Sequence, residues 1–353
     1  MKKLRSRAKL ALDIVRRRGL TGLVNVAKAA YSLAVEPDVV PGGPLYVQVE
    51  PTIVCNLACS FCINPELNRS VKSMSAEQFE TILDKIPSLE KVSLVGIGEP
   101  LLNKDLMKML RAAKARRMDV GFTTNGTIMT PRIIDEIRDI GPDWINTSLD
   151  GATKATFENI RKGANFEAIL KNIERLVTAL DGDRRPEMSV WFVGIKENIH
   201  ELPALVRIVD GLGIKNLYVQ SVHFWGHDSW REKNEPQSIA TQMERVGIFF
   251  KQAREEASAL GVKLEVCNLP DPHLGRECQW PWRACYISAE GFITPCCVQG
   301  SDPTVINFGN IFEQSFDEIW NSPDYQTFRR KLKSPDIPKI CEGCTSYYET
   351  MRI

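Results

Sequence analysis

The strongest constraint on this chain is a serial alternation of apolar runs and helical patterns between residues 45 and 220. Leu45–Val49, Val92–Ile97, Val120–Thr124, Trp144–Leu149, Met188–Ile195 and Leu217–Val219 read as strands. Between them Ser75–Ile86, Lys104–Arg117, Pro131–Ile140, about 153–180 and Glu201–Leu212 carry the helical period. Ser75 with Gln78 three residues on forms a capping-box start. Strands such as VSLVGI are nearly continuous in apolar residues, as parallel strands covered on both faces are. Six β–α units in series predict an α/β fold, a partial (β/α)6 TIM-like barrel over 44–235. Function is then expected in the loops after the strands' C-terminal ends. Asp38–Pro44 reads as a linker, and 236–261 as a linking helix. Beyond it the alternation stops, and 262–353 becomes a smaller Cys-rich α+β domain with short strands.

Of the 353 residues 43% are hydrophobic and 25% charged, which excludes disordered, collagen-like and membrane-embedded classes. Lys plus Arg number 45 against 44 Asp plus Glu, a net charge of +1 that hides an asymmetry. Residues 1–34 hold nine Lys/Arg and the single acid Asp13, a local +8 that leaves −7 for the rest. Residues 1–40 read as a basic amphipathic helical segment, with Leu4, Ala8, Ala11 and Val15, then Leu20, Leu23 and Val24, on repeating faces and Gly19 as a break. This helix is expected to pack on the barrel with a solvated charged face. The alternatives are peripheral contact of residues 1–34 with an anionic membrane, or an acidic substrate or partner. No apolar run reaches the roughly 18 residues of a membrane span, and Asp13 and Arg16-Arg17-Arg18 interrupt a secretory signal. A cytoplasmic chain with reduced thiols is expected. Nucleic-acid binding is not, because the positive charge is confined to one helix without interleaved aromatic residues.

The ten cysteines fall into groups. Cys55, Cys59 and Cys62 follow the first strand as Cys-x3-Cys-x2-Cys. Three thiolates are one short of a closed zinc site, but on a four-iron cube they leave one iron open to a ligand. A zinc site completed elsewhere, or three buried cysteines, are the competing readings.

Five further features follow, three of them at successive strand ends. Phe61 precedes the third cysteine, and Gly96-Ile97-Gly98-Glu99-Pro100 follows the second strand. Thr124-Asn125-Gly126 ends the third strand, and Ser148-Leu149-Asp150-Gly151 the fourth, with Glu158-Asn159-Ile160-Arg161 beyond. Singly each is an ordinary turn. Together, in this order, they resemble the radical S-adenosylmethionine (radical SAM) enzymes. The resemblance implies a [4Fe–4S] cluster on Cys55, Cys59 and Cys62 whose open iron chelates S-adenosylmethionine. An electron from the cluster cleaves that cofactor to methionine and a 5′-deoxyadenosyl radical, which abstracts hydrogen from a substrate. It also implies cofactor contacts: Phe61 near adenine, Gly98, Glu99 and Pro100 at the methionine amino group, and Asn125 in the same set. Ser148 and Asp150 would lie around the ribose, and Arg161 at the methionine carboxylate. Ile97 departs from the family, where Gly is common.

Cys278-x12-Gly291-x4-Cys296, then Cys341-x2-Cys344, resembles the SPASM/twitch auxiliary-cluster domain, with Gly309-Asn310 and Ser315–Ser322 as its connecting segment. The resemblance implies one auxiliary [4Fe–4S] cluster on Cys278, Cys296, Cys341 and Cys344, with zinc as the competing occupant. The chain runs nine residues past Cys344, which fits the short one-cluster form. Cys267, Cys285 and Cys297 read as small buried residues, with Cys285 as an alternative ligand and Cys297 as a rival to Cys296.

Two clusters point to oxidation or epimerisation of a small polar, sugar- or cyclitol-like substrate, assisted by the auxiliary cluster. The alternatives are a SPASM-type maturase of a ribosomally made peptide and a non-catalytic iron–sulfur module. The absence of a strand pattern in 1–34 counts against the peptide reading, and the strand-end motifs count against the module. The expected partners are that substrate and an electron donor such as flavodoxin or ferredoxin. For substrate contact the segment Gln220–Gly226 offers His223 as proton acceptor and Trp225 as stacking platform, or else packs under the second domain.

Overall fold

The computed structural model describes residues 20, 22–70, 72–182, 186–267 and 278–344. In chain order the strands are β1 (Tyr46–Val49), β2 (Ala58–Cys59), β3 (Lys91–Leu94), β4 (Asp119–Thr124), β5 (Trp144–Ser148) and β6 (Arg161–Lys162). They continue with β7 (Glu187–Gly194), β8 (Asn216–Ser221), β9 (Lys263–Cys267), β10 (Ala284–Ile287) and β11 (Ile293–Thr294). One nine-stranded sheet runs in the order β11-β10-β1-β3-β4-β5-β7-β8-β9. Every neighbouring pair from β10 to β9 is parallel. Only β11 is antiparallel to its neighbour, β10.

A helix at 22–35, α1, precedes the sheet. The crossovers are helical: α2 (Ala76–Lys85), α3 (Leu106–Ala115), α4 (Pro131–Ile140), α5 (Lys154–Ile160), α6 (Phe166–Ala179), α7 (Leu202–Gly211), α8 (Asp228–Asn234) and α9 (Met243–Leu260). Their starts follow local chemistry. Ser75 and Gln78 complete the capping box of α2, and Thr130 caps α4, whose last turn ends on left-handed Gly141. Val47, Val92, Val120, Ile145, Val190 and Leu217 are fully buried, and so are Phe79, Met109, Ile137, Ile173 and Leu205 on the helices. The sheet is thus covered as its apolar strands require.

All six expected strands are present, and three features differ from the sequence reading. The alternation runs one unit further: β9 pairs in register with β8, from Asn216↔Lys263 to Gln220↔Cys267. As an edge strand it is only partly buried and lacks the apolar run that marks its neighbours. The Cys-rich region extends the same sheet at its other edge, because β10 lies parallel to β1 from Tyr46↔Ala284 to Val49↔Ile287. The long helix expected over about 153–180 is two helices, α5 and α6, divided by β6. Residues 1–19 of the basic segment lie outside the described residues.

The joint between the barrel and the second domain is ionic and buried. Glu50, just past β1, is fully buried; its Oε2 accepts from Arg69 Nη2 at 2.5 Å and from the Ala289 amide at 3.1 Å. Its Oε1 accepts from the Ile97 amide at 3.2 Å, and Arg69 also holds Glu290, with Nε donating at 2.8 Å. Neutralising one carboxylate of this triad weakens charge-assisted hydrogen bonds worth about 1.5–3 kcal/mol. Arg69→Met would strand two carboxylates instead, at a cost of about 3–5 kcal/mol. Glu50→Gln should therefore lower the urea midpoint of the metal-free protein clearly, and Arg69→Met should lower it more. Equal midpoints for all three proteins would contradict this joint.

Candidate active site

The Cys55–Cys62 loop hangs from the C-terminal end of β1 and is fastened from several sides. Ile53 N donates to Lys72 O, and Glu99 N donates to Val54 O, both at 2.9 Å. β2, inside the loop, pairs antiparallel with β6, which sets Cys59 opposite Arg161 and Ala58 opposite Lys162. Ser60 N adds a bond to Ile160 O at 2.8 Å. This ladder brings Arg161 to the cysteines from the far side of the chain. Cys55, Cys59 and Cys62 are half-buried and lie in one another's electrostatic field. Burial pushes each thiol up, Cys62 to about 12, while the Arg161 guanidinium pulls all three down.

The loops after β3 and β4 are knotted onto this one by Glu99. Its carboxylate is buried; Oε1 accepts from Thr124 Oγ1 at 2.8 Å and the Leu101 amide at 3.1 Å, and Oε2 from the Asn125 amide at 2.7 Å. Burial raises its pKa, and these donors oppose the rise. Asn125 Nδ2 donates to Asn56 Oδ1 at 3.0 Å and stands 4.0 Å from Cys55 Sγ. Gly98 lies so close to the cysteine loop that a Cβ there would come within 2.4 Å of Thr52 O and 2.7 Å of Val54 O. No larger residue fits without moving backbone. Pro100 follows as a buried residue in a short helical turn capped by Glu99.

Past β5 the pattern repeats. Ser148 is half-buried at the end of the strand, and Asp150 is fully buried. Asp150 Oδ1 accepts from the Val193 amide at 2.7 Å, and its Oδ2 accepts from Arg161 Nε at 2.6 Å. Burial raises Asp150, and Arg161 opposes that. Burial works against the Arg161 charge as well, but Asp150 and Cys59 more than offset it and its pKa rises. The expected contacts Glu99 and Asp150 therefore point inward, onto amides and Arg161, and hold the strand ends together.

Phe61 packs against Ile160, Val193, Ile195, Val222 and Phe224, an apolar wall where β7 and β8 end. Trp225 packs with Cys62, Ile63, Ile97 and Trp230. His223 sits edge-on to Trp225, with ring centroids 5.8 Å apart at 88°. Burial alone lowers its pKa to about 4, so the imidazole is neutral at neutral pH. Trp225 and Gly226 both have positive φ, 57° and 76°, and turn the chain toward the second domain. There Gly226 N donates to Gln299 Oε1, and His227 Nε2 pairs with Asp302 Oδ2, both at 2.9 Å. The sequence reading missed Gln299 and Asp302; no motif marks them, and only the loop after Cys297 brings them here.

Cys278, Cys296, Cys341 and Cys344, nearly 70 residues apart in sequence, lie in a common electrostatic field. Cys297 shares it, whereas Cys285 on β10 faces Arg329 instead. Burial pushes Cys278, Cys297 and Cys341 up. Among the described residues, no three His, Cys, Asp or Glu side chains are gathered as a metal-ion site. The donor chemistry is nevertheless all sulfur in both groups, which suits iron–sulfur ligation. Among the buried polar atoms without a hydrogen-bond partner, Trp225 Nε1 lies in the cluster that holds Cys62, and Tyr325 Oη lies in the field of Cys278 and Cys296. These unmet groups fit a site built to take a further polar body.

Comparison with known proteins agrees with this arrangement. The model of the radical SAM superfamily matches residues 49–209, and that of the SPASM iron–sulfur cluster-binding domain matches residues 278–345. The chain belongs to the radical SAM superfamily. It is a radical SAM enzyme with a SPASM domain, and its cofactors are S-adenosylmethionine, a [4Fe–4S] cluster and auxiliary iron–sulfur. It is 28% identical over 319 residues to the tungsten-containing aldehyde ferredoxin oxidoreductase cofactor-modifying protein of Pyrococcus furiosus, covering 85% of this chain and 87% of that one. To the PqqA peptide cyclase of Gluconobacter oxydans it is 25% identical over 312 residues, covering 86% and 84%. In fold it is similar to Streptococcus suis SuiB, solved bound to the precursor peptide SuiA, with TM-score 0.67, 18% identity and coverage of 93% and 80%.

Two outcomes follow from the geometry. Anaerobic reconstitution should load about eight irons on the intact radical SAM enzyme, and about four on a Cys55/Cys59/Cys62→Ala variant. A variant that retains none would contradict a second site. His223 supplies the pH test. Its folded pKa is depressed below the unfolded value of about 6.5, so its contribution to stability is complete above that pH and declines toward pH 4. His223→Gln should flatten the stability profile over that window; an unchanged slope would refute a buried neutral imidazole.

Proposed function

We propose that this radical SAM enzyme is a maturase that abstracts hydrogen from a peptide substrate. The observation that carries the reading is the similarity to the PqqA peptide cyclase, which spans both cysteine groups rather than the barrel alone. The barrel mouth supports it. Phe61 and Val193, half-buried against Val222 and Phe224, form an apolar wall, and Trp225 with the neutral imidazole of His223 stands in a second apolar cluster. Such a wall suits side chains of a peptide and offers little to the many hydroxyls of a sugar or cyclitol, the substrate expected from the sequence.

In this reading Cys55, Cys59 and Cys62 hold the first cluster, and Cys278, Cys296, Cys341 and Cys344 the auxiliary one. When bound, the cluster and S-adenosylmethionine supply the electron and the 5′-deoxyadenosyl radical. The chain's own residues position and shield. Arg161, its Nε held by Asp150, presents the rest of its guanidinium to the cofactor carboxylate. Gly98, with Glu99 and Pro100, leaves a backbone edge for the methionine amino group, and Asn125 braces the cysteine loop beside it. Ser148, half-buried at the strand end, would meet the ribose, and Phe61 the adenine. His223, edge-on to Trp225, is the proton acceptor, and a donor such as flavodoxin or ferredoxin is the electron source.

A second reading comes from the Pyrococcus furiosus relative, whose name records a modified cofactor rather than a peptide. Turnover separates the two. With S-adenosylmethionine and a reductant under anaerobic conditions the enzyme should form 5′-deoxyadenosine. Candidate precursor peptides should raise that rate and change mass themselves. Stimulation by a non-peptide cofactor and by no peptide would favour the second reading. No 5′-deoxyadenosine at all would sink both.

A further inference from the structure

Helix α1 is apolar on the wrong side. Leu20, Val24, Tyr31 and Val35 are 74%, 51%, 51% and 54% exposed, and Val39 just beyond the helix is 55% exposed. These are five of the eight exposed large apolar side chains among the described residues. At 3.6 residues per turn Leu20, Val24, Ala27, Tyr31 and Val35 fall within a stripe of roughly 80°. The opposite face is already used: Ala29 and Ser32 are buried against the protein. A helix that is apolar on both sides is normally covered on both. The solvated charged face expected from the sequence is therefore not what residues 22–35 present; their outer side carries Lys28 as its one ionic group.

The helix is held rather than loosely tethered. Gln279 Nε2 donates to Leu33 O at 3.1 Å and to Glu36 Oε1 at 3.0 Å. Trp282 Nε1 donates to Pro37 O at 2.9 Å, and Lys333 Nζ donates to Glu36 O at 2.6 Å. The second domain thus fixes the direction in which the stripe faces. The 19 residues before Leu20 add eight Lys/Arg against one Asp.

We propose that the outer stripe of α1, with the basic residues that precede it, docks on an anionic lipid surface. Apolar side chains enter the acyl boundary while the cations meet the headgroups, a combination that binds more strongly as anionic lipid increases. A second copy of this chain would have to bring two +8 segments together, which the charge opposes. Among the described residues no helix is long and apolar enough to cross a membrane, so the contact is peripheral.

Sedimentation of the full-length protein with vesicles tests this. It should pellet with phosphatidylcholine vesicles containing phosphatidylglycerol, and stay in solution with phosphatidylcholine alone. High salt should weaken the binding. Val24→Glu/Val35→Glu and Arg16/Arg17/Arg18→Gln should each reduce it to the phosphatidylcholine level without changing the circular dichroism spectrum or 5′-deoxyadenosine formation. Failure to pellet with anionic vesicles would overturn the proposal. So would unchanged binding by both variants. If light scattering gives a dimer that the Glu variant dissociates, with no vesicle binding, the stripe pairs with a second copy and the lipid proposal is wrong.

Discussion

A buried carboxylate at the end of β1 organises the rest of this molecule. Glu50 has no access to water and must find its counter-charge and donors within the chain. It draws Arg69 from beyond the cysteine loop, the Ile97 amide from the loop after β3, and the Ala289 amide from the second domain. Each belongs to a different functional segment. Removing any one leaves the others around an unsatisfied group. The price of burying that charge is what holds the cysteine loop, the loop after β3 and the second domain in register.

The same device recurs along the strand ends. Glu99 spans the loops after β3 and β4, and Asp150 spans β5, β7 and Arg161. Glu201 gathers the Ala152 and Thr153 amides and the hydroxyls of Thr153 and Thr156. These acids are buried among their own donors. They set amides and one guanidinium in place beforehand, and such preorganised donors cost no rearrangement when charge develops. A carboxylate in a motif can thus matter by what it orients.

Much of the site was legible because its chemistry is local. Cys55, Cys59 and Cys62 sit within eight residues, and Gly98-Glu99-Pro100 and Ser148–Asp150 lie just past strands whose apolar runs announce them. The rest depends on pairing between distant segments. Nothing near Arg161 says that it lies opposite Cys59, because two-residue strands carry no periodicity. β9 and β10 escaped for the same reason: β9, a short edge strand, gains its order from β8, and β10, four residues between β11 and β1, gains it from its neighbours rather than from its own pattern. Gln299 and Asp302 are polar residues in a loop, and they acquire meaning only where Gly226 and His227 meet them.

By itself the sequence determined the β–α succession, the two groups of cysteines and the motifs at the strand ends. Those follow from hydrophobic period and from thiol and turn chemistry, which act over a few residues. Tertiary structure decided that the second domain is continuous with the barrel sheet, that Arg161 stands over the cysteines, and that the outer face of α1 is apolar. These are matters of which surfaces are left unpaired once the chain has folded. Burial and backbone pairing between segments far apart in sequence settle them, and no local pattern encodes that outcome.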